Sequence, residues 1–348
     1  MTKTATTITN VSATPDSVHW GYQDGSREPV CEIPDGGTVR VRTVQGGIDD
    51  PVPAGWLADD VRAILNSDTQ RGPGPHILTG PIAVQGANPG DALAIDLLDI
   101  RFGAPYGINR MRPGRGLFPE ALAADSGPDT AVIPIDPDQR TGQVPPGIDI
   151  PLRPFFGIVA TAPPPAWGSI STIEPRANGG NIDCKELIVG TRLFLPVFVP
   201  GANVSLGDGH AAQGDGEIDQ TAVETCLDGD LRMSVRPGLT LDHPLAITPA
   251  GLIAMGFEAN LEAAARAAVN QLLTFLEAHC GLPWLAGYRL ASLAVDLRIT
   301  QVVNRVVGVH AVLPHSVLEQ LDTPDWLTTP TPEPATDIPS TPGGTPWP

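Results

Sequence analysis

Residues 88–100 read Asn-Pro-Gly-Asp-Ala-Leu-Ala-Ile-Asp-Leu-Leu-Asp-Ile. Asn88-Pro89-Gly90-Asp91 is turn chemistry, because Pro presets φ and Gly accepts backbone angles that other residues resist. Ala92–Ile100 then runs apolar almost without a break and reads as a mostly buried strand. Working outward, Thr38–Val44 (TVRVRTV) alternates, with Val39, Val41 and Thr43 on one face and Arg40 and Arg42 on the other. Phe155–Ala162, Leu193–Val199 and Leu231–Val235 are further strand candidates. Pro/Gly clusters at Gly72–Pro75, Pro145–Gly147 and Pro163–Pro165 punctuate them. Gly and Pro number 38 each in 348 residues. That exceeds the usual share of about 12% and stays below the roughly 25–30% of low-complexity chains, so it points to many turns between short strands.

The pattern changes after Pro249. Leu261, Ala265, Ala268, Leu272, Phe275 and Leu276 recur at helical spacing within Asn260–Gly281. Asn260 is placed to cap that helix, and Gly281 and Pro283 to end it. A shorter helix follows from Trp284 to about Val295. Two strands come next, Leu297–Val303 and Gly308–Leu313, joined by a turn near Asn304. Thr323–Pro348 is rich in Pro and reads as an extended tail. The class is therefore mainly β with an α+β portion, the latter a two-helix/two-strand element. Four regions are expected: a β-rich sandwich over 1–160, a β-rich metal and active-site region over 161–248, an α/β portion over 249–320, and a Pro-rich tail over 321–348. No internal repeat is present.

Lys and Arg total 21 against 39 Asp and Glu, a net charge of −18. So acidic a chain has no electrostatic footprint for nucleic acid or an anionic membrane. Apolar residues make up 41%, enough for a sizeable core. Met1–Asn10 has no apolar core of a signal peptide, and no run of about 18 apolar residues occurs, so a soluble cytoplasmic protein is expected. Cys31, Cys184, Cys226 and Cys280 lie far apart, which argues against a zinc ribbon, an iron–sulfur site and a disulfide scaffold and reads as four mostly buried small side chains. The basic residues are Arg except for Lys3 and Lys185. Lys, unlike Arg, can shift its pKa usefully, which singles out Lys185.

Three short runs gather polar residues among glycines: Gly74–Pro81 (GPHILTGP), Asn178–Glu186 (NGGNIDCKE) and Gly207–Glu217 (GDGHAAQGDGE). In extended backbone, residues i and i+2 share a face. Asp208 and His210 then point together, as do Asp215 and Glu217, and Asp183 and Lys185. Two carboxylates and an imidazole on flexed backbone suit a divalent metal such as Zn²⁺, with Ca²⁺ as the second choice. The same run also reads as an idle acidic turn, and His76 taken alone as a structural histidine. His19, His243, His279, His310 and His315 read as structural, and Trp20 and Trp284 as core. A calcium loop beginning at Asp215 fails, since Gln220 and Cys226 stand where Gly and Glu are required. No dinucleotide fingerprint, P-loop or nucleophile elbow occurs. Cys184-Lys185-Glu186 has the residue types of nitrilase-type amidases, but in a strand Cys184 points away from Lys185.

These runs resemble the acetamidase/formamidase family. GDGHAAQGDGE followed by TAVET (to Thr225) is similar to its most recognisable segment. GPHILTGPIAVQGANPGD (Gly74–Asp91), NGGNIDCKEL (Asn178–Leu187) and VHWGY (Val18–Tyr22) are similar to its other strong blocks, in the same order. The resemblance spans roughly Val18 to Ser316. It implies hydrolysis of short aliphatic amides such as formamide or acetamide to the carboxylate and ammonia. It also implies a jelly-roll-like β-sandwich with a small β-barrel-like part and an α/β portion, in a homo-oligomer, dimer or tetramer. The family carries a divalent metal, which the resemblance assigns to Asp183, Asp208, His210 and His76. Gly251 departs from it, standing where relatives often carry a His-Trp-like pair.

The expected chemistry is attack by a metal-activated water. Glu217 or Glu224 would be the general base, and Lys185 would stabilise the oxyanion. Two other readings use the same residues: a non-catalytic module that binds small amides and metal, and a hydrolase of larger amides or cyclic imides.

Overall fold

The computed structural model describes residues 8–47, 50–53 and 55–330. Met1–Thr7 and the Pro-rich stretch after Pro330 lie outside the described residues. A nine-stranded sheet runs in the order Ile8–Val11, Gly37–Thr43, Leu227–Arg236, Ala92–Phe102, Arg192–Pro196, Leu245–Thr248, Gly251–Glu258, Val306–Pro314, Asp296–Asn304. Ala92–Phe102 sits inside this sheet, and its apolar run has a physical cause. Leu93, Ile95 and Leu97 point into one core with Ile82, Val84, Phe156 and Leu206 of a second sheet. Ala92 and Ala94 point to the other side, into a core shared with Leu272 and Phe275 of the long helix. A strand covered on both faces has no polar face to show. Its buried Asp96 is held from both neighbouring strands, by Arg192 Nε at 2.5 Å and Arg232 Nη2 at 2.8 Å. A buried carboxylate survives there because it is paired.

Gly37–Thr43 alternates as its sequence requires. Val39 and Val41 enter the core, while Arg40 binds Asp230 and Arg42 binds Asp60. The second sheet has six strands, in the order Gly179–Asn181, Phe155–Ala160, Val204–His210, Ile77–Val84, Val18–Trp20, with Cys31–Ile33 parallel to Ile77–Val84. The two sheets face each other as a sandwich across the larger core. The expected barrel-like part takes the form of an open four-stranded sheet, Ile148–Pro151, Thr141–Val144, Asp129–Asp136, Tyr106–Met111, and the described residues form no closed barrel.

The helix Leu261–Cys280 packs on the outer face of the nine-stranded sheet. Asn260 Oδ1 accepts from the backbone of Ala263 at 2.9 Å, and Gly281 ends the helix at φ 62°. The shorter helix covers Trp284–Ala294. Trp284, expected in the core, is exposed there, whereas Trp20 is buried. The turn expected near Asn304 falls at Arg305, with φ 67°, and Asn304 ends its strand. Gly251 starts a strand at φ 141°, and a Cβ there would meet the Leu313 carbonyl at 2.1 Å. That space excludes a larger residue. No helix among the described residues is long and apolar enough to cross a membrane.

Candidate active site

The six-stranded sheet carries the site at the end of Val204–His210. Its ladder pairs Gly209 with Phe156 and Gly207 with Ile158, so Gly157 stands across from Asp208. A Cβ on Gly157 would lie 2.6 Å from Asp183 Oδ1, 2.8 Å from Asp208 Oδ2 and 2.9 Å from His210 Cε1. Glycine at 157 is therefore what lets these side chains converge. Asp183, Asp208 and Glu217 all take left-handed backbone, at φ 51°, 55° and 47°. Non-glycine residues adopt that region at a cost, and such positions cluster where function fixes the geometry.

His210 is fully buried at the centre. Its Nε2 lies 3.4 Å from Asp208 Oδ2 and 3.3 Å from Glu224 Oε2, and its Nδ1 lies 3.9 Å from Asp183 Oδ1. His76 Nε2 faces Asp208 Oδ2 at 3.8 Å, while its Nδ1 lies 3.0 Å from Thr172 Oγ1. Gln213 spans the cluster: its Oε1 is 2.9 Å from His210 Nδ1 and its Nε2 donates to the Asp183 carbonyl at 2.7 Å. Asn304 Nδ2 donates to Asp183 Oδ2 at 2.6 Å. Gln45 Nε2 donates to Glu224 Oε2 at 3.0 Å, and the Ala222 backbone donates to Glu224 Oε1 at 3.0 Å.

Burial sets the proton balance of this cluster, and neighbouring charges divide it. Burial pushes Asp183 up to about 8, with His210 pulling the other way. Burial, then Asp183, raises Glu217 well above the usual carboxylate range. Burial opposes the charged ring of His210, but Glu224 and Asp208 outweigh it and raise the imidazole well above its ordinary value. Burial would also raise Asp208, but His76 and His210 hold it well below the ordinary range. Burial and the facing charges thus set these groups apart: Asp208 is held toward the carboxylate, Asp183 and Glu217 toward the neutral acid.

Three buried atoms here have no hydrogen-bond partner: Asp183 Oδ1, His210 Nε2 and Glu217 Oε2. Buried polar atoms left unpaired are costly and ask for a partner. Asp183, Asp208 and His210 offer ligand atoms close enough together to hold one ion, as do His210, Glu217 and Glu224. A cavity of about 600 Å³ opens onto this cluster, lined by His76, Asp208, Glu217 and Glu224 among others.

The structure brings six of the seven expected site residues together: His76, Asp183, Asp208, His210, Glu217 and Glu224. Lys185 is the exception. Its Nζ lies 3.1 Å from Asp215, and it does not line the cavity. The reason is local: Asp183 is left-handed and the next residues form a turn, so the alternation that would align Asp183 with Lys185 is broken. Asp215 and Glu217 part for the same reason, with Gly216 at φ 100° between them. Cys184 lies in the core between the sheets, where burial pushes its thiol up to about 12. That excludes the thiolate a cysteine nucleophile needs. Sequence reasoning missed Gln45, Gly157, Gln213 and Asn304. Only Gln213 stood inside a run already singled out.

A family model described as the acetamidase/formamidase family matches residues 26–169 and 165–320. An acetamidase of Mycolicibacterium smegmatis is 33% identical over 204 residues, covering 41% of this chain and 49% of that protein. A formamidase of Methylophilus methylotrophus is 31% identical over 191 residues, covering 41% of this chain and 47% of that protein. The chain spans about half the length of the curated relatives it matches. Among solved structures, an acetamidase from Bacillus halodurans superposes with TM-score 0.76 at 29% identity, covering 90% of this chain and 99% of that one. A predicted acetamidase/formamidase from Thermoanaerobacter tengcongensis gives TM-score 0.77 at 25% identity, covering 90% and 98%.

Proposed function

The chain belongs to the acetamidase/formamidase family, and from that premise we propose that it hydrolyses short amides to the carboxylate and ammonia at the cluster around His210. One observation carries this reading: Glu217 is buried, lines the cavity and leaves Oε2 without a partner, beside three other acid/base groups. Amide hydrolysis needs a base for the water, a stabiliser for the tetrahedral oxygen, and an acid for the departing nitrogen. A carboxyl raised toward neutral pH serves as both base and acid. Glu217 takes the proton from water and returns it to the nitrogen. Glu224, with both oxygens already hydrogen-bonded, is the less free of the two carboxylates.

The residues fit a divalent metal, which Asp183, Asp208, His210 and His76 would hold. The fit rests on the unpartnered Asp183 Oδ1 and His210 Nε2, and on the space that Gly157 leaves beside Asp183 and Asp208. Imidazole beside carboxylate favours Zn²⁺ over Ca²⁺, which takes oxygen ligands. When bound, such an ion lowers the pKa of water and polarises a carbonyl. Gln213 and Asn304 orient His210 and Asp183, and Thr172 orients His76. Lys185 has no place in this scheme.

We also read the assembly as a homo-oligomer. Supporting this, Leu285, Tyr288 and Leu293 of the short helix and Leu297 and Ile299 of the edge strand are exposed. An apolar sheet edge left open invites pairing.

The test is ammonia release from formamide and acetamide by purified protein, before and after chelation and with Zn²⁺ restored. Chelator-sensitive release is expected. Release that ignores chelation overturns the metal, and no release from folded, metal-loaded protein overturns the activity.

A further inference from the structure

The cavity is lined by both signs of charge. Its wall carries Asp50, Asp208, Glu217 and Glu224 together with Arg71, Arg110, Arg112, Arg115 and Arg305. In a chain of net charge −18, that is a local concentration of arginine. Most of these arginines are occupied. Arg110 binds Asp50, Arg305 binds Glu174, and Arg71 lies over the Trp20 ring at 3.9 Å. Arg112 is different. Its side chain is half-buried and has no ion pair or hydrogen bond among the described residues, whereas that of Arg115, also unpaired, is exposed. Burial, then the neighbouring Arg110, holds the Arg112 guanidinium below the usual arginine range, against the pull of Glu224 and Asp50. An anion would relieve both pressures, and the planar guanidinium fork matches a carboxylate bidentately.

The size of the cavity points the same way. About 600 Å³ is the scale that encloses drug-sized ligands, and acetamide would leave most of it to water. A longer amide with an anionic far end would use the acid/base cluster and an arginine together.

We propose that the substrate is the monoamide of a short dicarboxylic acid, its carboxylate received by Arg112 while its carboxamide meets Glu217 and Asp208. This rests on the amidase reading and narrows it. Water adds to the carboxamide carbon, the C–N bond breaks, the nitrogen leaves as ammonia with the transferred proton, and the dicarboxylate remains.

The experiment compares kcat/KM for ammonia release from succinamate and from butyramide, its neutral counterpart of equal chain length. Wild type, Arg112→Gln and Arg112→Lys are assayed, with folding checked by circular dichroism. Succinamate should be the better substrate in wild type. Arg112→Gln should lower the succinamate-to-butyramide ratio by about 10- to 100-fold, the usual worth of a hydrogen bond to a charged group, and Arg112→Lys should retain part of it. If Arg112→Gln does not fold, the wild-type ratio and Arg112→Lys decide. A wild-type ratio at or below one, or a ratio unmoved by Arg112→Gln, overturns the anion site while the amidase reading stands. If no amide is cleaved, the amidase reading fails, and calorimetry with succinate decides the anion site: binding that Arg112→Gln abolishes supports it, and no binding overturns it.

Discussion

Asn304 Nδ2 donates to Asp183 Oδ2 at 2.6 Å, joining the end of an edge strand to a loop 121 residues away. Asp183 is fully buried and left-handed, so its carboxylate is aimed by partners rather than by regular backbone. Asn304→Ala removes that donor from Oδ2. Groups that orient the residues of a metal or acid/base cluster commonly contribute about 10- to 100-fold to activity. A drop of that size in kcat/KM is expected, with the β circular dichroism spectrum retained. Unchanged kinetics would show that Asp183 needs no orienting partner.

Glu217→Gln keeps the shape of the side chain and removes its proton chemistry. General acid–base groups are worth about 10²- to 10⁴-fold. Turnover should fall by that factor. Because burial and Asp183 make ionised Glu217 expensive, the thermal midpoint should hold or rise. The ammonia assay and a melting curve on one preparation test both halves, and a variant with most of its activity left sinks the assignment.

Gly157 tests the packing of the cluster without touching its chemistry. A methyl group there would sit 2.6 Å from Asp183 Oδ1 and 2.8 Å from Asp208 Oδ2. Both distances are below van der Waals contact, and the neighbours are buried. Gly157→Ala should cost about 1–3 kcal/mol by overpacking and nearly all activity. Urea denaturation and the ammonia assay read the two effects, and an active, fully stable Gly157→Ala protein would refute the close convergence.

What could be read from the sequence follows a physical line. Asp208 and His210 were placed on one face by strand alternation. They do meet although Asp208 is left-handed, because ladder pairs at Gly207 and Gly209 on either side hold that segment in the sheet, a restraint that 183–185 and 215–217 lack. The same rule failed for Asp183 with Lys185 and for Asp215 with Glu217, where left-handed residues turn the chain. The strand Ala92–Phe102 and the Asn260 cap were legible because their causes are local. Asn304, Gln45 and Arg112 were not, because their roles come from contacts or walls built by distant segments. Gln45 reaches Glu224 across 179 residues. Trp284 was misplaced because large apolar residues sit on surfaces too, and helical spacing alone does not say which face is covered.

His310 sets a stability test away from the catalytic cluster. It is fully buried, with Nδ1 2.8 Å from Thr300 Oγ1 and Nε2 unpartnered. Burial pushes it down to about 4; Asp215 opposes this, and Arg298 and Lys185 add to it. Unfolded, a histidine binds its proton near 6.5. Between about 6.5 and about 4 the unfolded chain therefore holds a proton at this position that the native chain refuses. Stability from neutral His310 is fully present above about 6.5 and is lost as pH falls through that window. The loss is on the order of 3 kcal/mol by pH 4. The many carboxylates of the chain also titrate at the acid end, so the wild-type curve alone does not isolate this contribution. His310→Gln does, since it lacks the titration and shares everything else. Urea midpoints from pH 8 to pH 4.5 should fall less steeply for His310→Gln than for wild type below about pH 6.5. Parallel curves would mean that native His310 takes up its proton as readily as the unfolded chain does.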